Sequence, residues 1–251
     1  MDVYTRKHSA IWYIGWTILS LIAITLAAVL TWMLFPSPAT AESLSEVKAI
    51  PGLTIEETTE YYQLSNAGAG TTDQAIVFYP GAHVASNAYL AKLAPQAMRG
   101  VTVFVIKSPL QFAIFDPGAA GRIIAAHTTV KRWYVGGHSL GGVVACMYAK
   151  DHTSQLSGLF FFGSYCSGDI SGTNLSVLSL AGSQDGLSTP AKIQSAKRLN
   201  PPSALYLEIP GADHADFGDY GKQFGDRPSS TTRLEVKQAI TDALTGFIPI
   251  P

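Results

Sequence analysis

Charge and cysteine are both scarce in this chain. Asp, Glu, Lys and Arg make up 14% of its 251 residues, and 17 basic side chains face 18 acidic ones for a formal net charge of −1. Such a balance gives no basic excess to suggest nucleic acid and no acidic tail, so no nucleic-acid partner is expected. There are 2 cysteines, Cys146 and Cys166. Two cannot build a disulfide framework, and no Cys or His spacing matches a metal site; neither a metal nor an organic cofactor is expected. Cys146 falls about two turns into an expected helix, whereas Cys166 follows a strand-like run. The two are expected not to meet and to be packed thiols. No internal repeat is visible.

Long apolar stretches are present. From Ser9 to Phe35 there is no charged residue. The apolar part of this run, roughly 25 residues at ~1.5 Å each, is long enough to cross a bilayer. Trp12, Tyr13 and Trp16 lie toward one end and Trp32 toward the other, as interfacial belts would place them. Arg6 and Lys7 precede the run, and the first charges after it are Glu42 and Glu46. The positive-inside rule then puts residues 1–8 in the cytoplasm, 9–35 in the membrane as a single-pass anchor and the remainder outside. A cleaved signal peptide is the competing reading, because Ala39-Thr40-Ala41 resembles a cleavage site. Cleavage there would give a secreted protein, but signal cores run only ~7–15 residues. Residues 36–58, rich in Pro, Ser, Thr, Ala and Glu, are expected to be an extracytoplasmic linker.

The folded domain is expected over 59–251. Tyr61, Tyr62 and Leu64 mark an early strand, followed by the loop Asn66 to Gly70. The continuous apolar run Ala75–Tyr79 reads as a strand covered on both faces, Val101–Ile106 and Trp133–Gly136 read as further buried strands, and Leu159–Phe162, Val177–Ala181 and Leu205–Ile209 read as the later strands. Helical patterns lie at Tyr89–Met98, Ala119–His127, Gly141–Ala149, Ala191–Leu199 and Leu234–Phe247. This alternation predicts an α/β fold with a mostly parallel, doubly wound sheet, preceded by one transmembrane helix.

The stretch Gly136-Gly137-His138-Ser139-Leu140-Gly141-Gly142 sits between a strand and a helix. Gly-x-Ser-x-Gly in that setting is a nucleophile elbow: a tight turn exposes the serine hydroxyl, and the flanking positions must be small because strand and helix nearly touch. A serine nucleophile needs a base, and the base needs an orienting carboxylate. His214 is both late in the chain and after a strand, which suits the base. Asp185, after the turn Gly182-Ser183-Gln184, suits the acid; Asp169, one strand earlier, is the alternative. Two backbone N–H groups are needed for an oxyanion. Leu140 should supply one. Ala82, or alternatively His83, should supply the other from the loop Gly81-Ala82-His83. Asp213, Asp216 and Asp219 read as solvated loop carboxylates.

Five stretches carry a family resemblance: Phe78-Tyr79-Pro80-Gly81, Val105 to Pro109, the elbow, Ala181-Gly182-Ser183-Gln184-Asp185-Gly186, and Gly211 to Gly221. From about Glu60 the chain resembles a compact bacterial alpha/beta hydrolase family, related in fold to dienelactone hydrolases. The resemblance implies that fold and the triad Ser139, Asp185 and His214. Only about ten residues separate Cys166 from the next strand, which leaves no room for a large cap and implies an open site. The expected activity is serine hydrolysis of a small-molecule carboxylic ester, with a thioester or amide as the alternative, through an acyl-enzyme. Two other readings remain: an acyltransferase on the same triad, and a non-catalytic, membrane-tethered binding domain on a hydrolase scaffold.

Overall fold

The structure, a computed structural model, describes residues 10–68 and 73–250. The expected cytoplasmic segment 1–8 and the loop residues Ala69 and Gly70 lie outside them. The chain divides into two compact units, Met1–Pro36 and Ser37–Pro251. Among its described residues the first contains one helix, α1 (Ala10–Leu34), with no buried residue, no acidic residue in its first turn and no basic residue in its last. It is long and apolar enough to cross a membrane.

The second unit begins earlier than residue 59. The segment read as a linker holds helix α2 (Ala41–Lys48) and strand β1 (Leu53–Glu57). Thr40 caps α2 by accepting from Ser43 N, Glu42 lies in the first turn and Lys48 in the last, each suited to its end of the helix dipole. Only Ser43 and Val47 of α2 are buried, so apolar periodicity could not reveal it. Tertiary ion pairs hold it: Glu46 meets both Arg233 and Lys237. Ser37 is also integrated, forming a parallel bridge to Val84.

The remaining elements follow the expected alternation. They are β2 (Tyr61–Asn66), β3 (Gln74–Tyr79), α3 (Leu90–Met98), β4 (Thr102–Ile106), α4 (Ala119–Ala126), β5 (Arg132–His138), α5 (Leu140–Asp151), β6 (Gly158–Phe162), β7 (Ser176–Gly182), α6 (Pro190–Ala196), β8 (Leu205–Ile209) and α7 (Arg233–Phe247). They form an 8-stranded sheet in the order β1-β2-β4-β3-β5-β6-β7-β8. β1 and β2 pair antiparallel, as do β2 and β4; every other pairing is parallel.

Strand alternation divides the core in two. Ile76 and Phe78 face α3 and α7 with Val236, Ile240 and Leu244. Ala75, Val77 and Tyr79 face α4 and α5 with Ile123, Val144 and Ala145. β3 and β5 are adjacent and parallel, with Phe78 opposite Gly136 and Tyr79 opposite Gly137. The chain therefore leaves both strands side by side at one end of the sheet, which is where the elbow and the Gly81 loop belong.

The cysteines depart from expectation: Cys146 and Cys166 form a disulfide, with Cα atoms 5.3 Å apart. The crossover β5–α5–β6 lays α5 back against the sheet beside β6. Gly163, at φ 48°, then turns the chain after β6 back toward that helix. A separation of 20 residues in sequence thus becomes contact. Closing a loop of that size contributes about 3 kcal/mol. Replacing both cysteines by alanine is expected to lower unfolding free energy by about that amount in denaturant melts; no change would mean that the bridge does not form.

Candidate active site

Ser139 occupies the turn between β5 and α5 with φ 53° and ψ −125°, a conformation that L-residues rarely adopt. Neighbouring glycines permit it. A Cβ on Gly137 would collide with the backbone of Gly141, and one on Gly141 would collide with the carbonyl oxygens of Tyr79 and Pro80. The strain is an observed outlier at a half-buried serine, and such outliers cluster at functional sites.

Asp185 and His214 are fully buried and paired, with Asp185 Oδ2 2.8 Å from His214 Nδ1. Asp185 Oδ1 accepts from Leu187 N at 2.8 Å and Ser188 N at 2.7 Å, which locks the carboxylate in place. With Nδ1–H donated to Asp185, the other ring nitrogen, Nε2, is free to accept a proton. Nε2 is buried and has no hydrogen-bond partner among the described residues. Ser139 Oγ makes no hydrogen bond to it here. Nucleophile–base contacts are often long in enzymes without substrate and tighten on binding.

Leu140 and Ala82 flank the same space by chain position, one following the serine and one following β3. Neither backbone N–H donates to a described residue. His83 N, in contrast, donates to Gln111 O at 2.8 Å. That contact occupies the alternative donor. Asp169 is exposed after β6, where its Oδ1 accepts from Ser171 N at 2.9 Å; the structure does not bring it to His214.

Three further residues brace this arrangement and carried no local signal in the sequence. Asp226 accepts from Gly186 N at 2.9 Å and from Ala215 N at 3.0 Å, stapling the Asp185 loop to the His214 loop. Tyr89 and His138 form a buried chain between Gly81 and His214. His138 stood next to the serine in the motif, but nothing in the sequence named its partners.

The carboxylates around His214 are less solvated than expected. Asp213 and Asp219 are buried, the latter paired with the equally buried Lys92 at 3.3 Å. Burial and the nearby Asp216 and Asp226 push the Asp213 carboxyl up to about 6. Its folded pKa thus exceeds the unfolded one. The folded state holds the extra proton between about pH 4 and 6, so stability falls as pH rises through that window. Asp213→Asn is expected to raise the Tm at pH 7.5 and to leave it nearly unchanged at pH 4, because the ionised form alone is penalised. Equal shifts at both pH values would contradict this origin. A cavity of about 440 Å³ borders Asp213, Asp216 and Asp226 but includes neither Ser139 nor Leu140. Among the described residues no group of three His, Cys, Asp or Glu side chains is arranged to hold a metal ion.

Comparison with known proteins bears on the fold and the family. No curated protein matches the sequence. The crystal structure of a predicted CIB-like hydrolase from Thermoplasma acidophilum, at 1.45 Å resolution, is similar in fold. It superimposes with a TM-score of 0.57 at 14% identity, over 78% of this chain and 100% of the other. Residues 75–238 match the model of the alpha/beta hydrolase family, a span that begins at β3 and includes the elbow, Asp185 and His214. With strand order, family match and elbow in agreement, this chain belongs to the alpha/beta hydrolase family and is a hydrolase.

Proposed function

We propose that the enzyme hydrolyses carboxylic esters with Ser139 as nucleophile, His214 as general base and Asp185 as the group that orients it. The observation that carries this reading is the strained Ser139 at the head of α5, on a scaffold that also buries an Asp185–His214 pair. In the first half-reaction Ser139 Oγ attacks the ester carbonyl carbon while its proton passes to His214 Nε2. The tetrahedral oxyanion accepts from Leu140 N–H and Ala82 N–H. The C–O bond to the alcohol then breaks, and His214 returns the proton to the leaving oxygen. Water attacks the acyl-enzyme by the same route and releases the acid. The short connection between β6 and β7, residues 163–175, favours an open site and a small substrate. A fluorophosphonate probe should label the protein, and Ser139→Ala should abolish labelling. A protein that takes no label would point instead to a binding domain on this scaffold.

For location, the reading is a retained membrane anchor with the catalytic domain outside. Two observations in the domain support it. A disulfide between Cys146 and Cys166 suits an oxidising compartment. Cleavage near Ala41 would also remove Ser37, paired with Val84, and Thr40, whose N–H donates to Asp219 O at 2.7 Å while its side chain caps α2. Sodium carbonate is therefore expected to leave the full-length protein in the membrane pellet and detergent to release it. Soluble protein starting at Glu42 in the medium or periplasm would favour cleavage. Because α2 and β1 are folded, the segment 37–57 should resist external protease far better than a disordered linker.

A further inference from the structure

Resting on that reading of the site, we infer that Tyr89 and His138 are positioning residues, a buried relay that ties the loop bearing the Ala82 N–H to the loop bearing His214. Gly81 N–H donates to Tyr89 Oη at 3.0 Å. Tyr89 Oη lies 2.8 Å from His138 Nδ1, and His138 Nε2 lies 3.1 Å from the His214 carbonyl oxygen. The directions follow from chemistry. A carbonyl only accepts, so Nε2 of His138 carries the proton; Nδ1 must then accept, and the Tyr89 hydroxyl donates to it. One tautomer satisfies every group. Both ends of the relay terminate on backbone atoms: Gly81 is one residue before Ala82, and the His214 carbonyl belongs to the base itself.

The surroundings keep the relay short and dry. Tyr89 and His138 are both buried, and the His138 ring lies 4.5 Å from the His214 ring. Position 81 must be glycine, because a Cβ there would sit 2.7 Å from His138 Nδ1 and 2.9 Å from Tyr89 Oη. Burial, and then the neighbouring His214, hold His138 well below the usual histidine range, so it stays neutral. Neutrality matters because His214 becomes an imidazolium during each half-reaction, and a charged ring at that distance would oppose it. The relay thus holds the oxyanion donor and the base in one geometry and places no second charge beside the base.

Tyr89→Phe removes one hydroxyl and leaves the ring. On p-nitrophenyl acetate, with the full-length protein in detergent, it is expected to lower kcat by up to about 100-fold, because misplacing catalytic groups by an ångström costs that much. KM should change less than twofold, and affinity for phenylboronic acid, whose serine adduct fills the oxyanion site, should fall with kcat. His138→Phe breaks the same relay, so the double variant should be no worse than His138→Phe alone. A folded Tyr89→Phe protein with wild-type kcat, or single effects that multiply, would overturn the relay. A readout independent of activity is the ¹⁵N spectrum of labelled histidine. It should report His138 as the Nε2–H tautomer in the wild type and in Tyr89→Phe alike, with the unprotonated Nδ1 resonance moving downfield in Tyr89→Phe as it loses the hydroxyl donor. A mixture in the wild type also overturns the inference. Should the wild type hydrolyse no ester and take no fluorophosphonate while the tautomer result holds, the proposed chemistry fails and the relay stands.

Discussion

Ser139→Ala is expected to lower kcat for ester hydrolysis by on the order of 10⁶, with the fold intact. The size follows from the chemistry: without Oγ there is no acyl-enzyme, and what remains is whatever the oxyanion donors and substrate positioning contribute to attack by water. The fold should survive because alanine keeps the same Cβ. It therefore inherits the backbone conformation at φ 53° without adding a clash, and the room made by Gly137 and Gly141 is unchanged. Far-UV circular dichroism and Tm check the fold; initial rates over a range of ester concentrations check the chemistry. A variant that keeps a tenth of wild-type kcat would place the nucleophile elsewhere.

The second large effect is expected at the buried acid. Asp185→Asn should reduce kcat by up to ~10⁴. The amide oxygen introduced by the substitution can still accept from Leu187 N and Ser188 N, so the loop keeps its shape. The amide N–H₂ would then face His214 Nδ1, a donor against a donor. The imidazole answers by moving its proton to Nε2, the nitrogen that must be free to receive the serine proton. Asp169→Asn, on an exposed loop, should leave kcat unchanged; a larger loss there than at Asp185 would reverse the choice of acid. Measuring both variants on one ester, with thermal melts alongside, separates the cases.

Some of this site could be read along the chain, and the reason is geometric. The elbow is local: a strand, five residues and a helix, so Gly137, Ser139 and Gly141 declare it without any distant contact. Asp185 and His214 could be chosen by order, because each follows the C-terminal end of a parallel strand, and a parallel sheet delivers all such ends to one edge. Buried strands were legible for the same local reason: Ala75–Tyr79 has to be apolar on both faces. The helix α2 and strand β1 were not, because their stability comes from Glu46 with Arg233 and Lys237 and from pairing with β2, partners that local patterning does not reveal.

Sequence alone determined the pattern of strands and helices from β2 onward, the apolar run of α1, and the strand-to-helix turn at Ser139, since each depends on neighbours within a few residues. Only tertiary structure decided that Cys146 meets Cys166, that Asp226 joins the Asp185 and His214 loops, and that Tyr89 and His138 connect Gly81 to His214. The Cys146–Cys166, Asp226–Gly186, Tyr89–His138 and His138–His214 contacts link residues separated by one crossover or more. Their existence rests on how helices pack against the sheet and where the chain turns at its edge, and no local preference for helix, strand or turn records that.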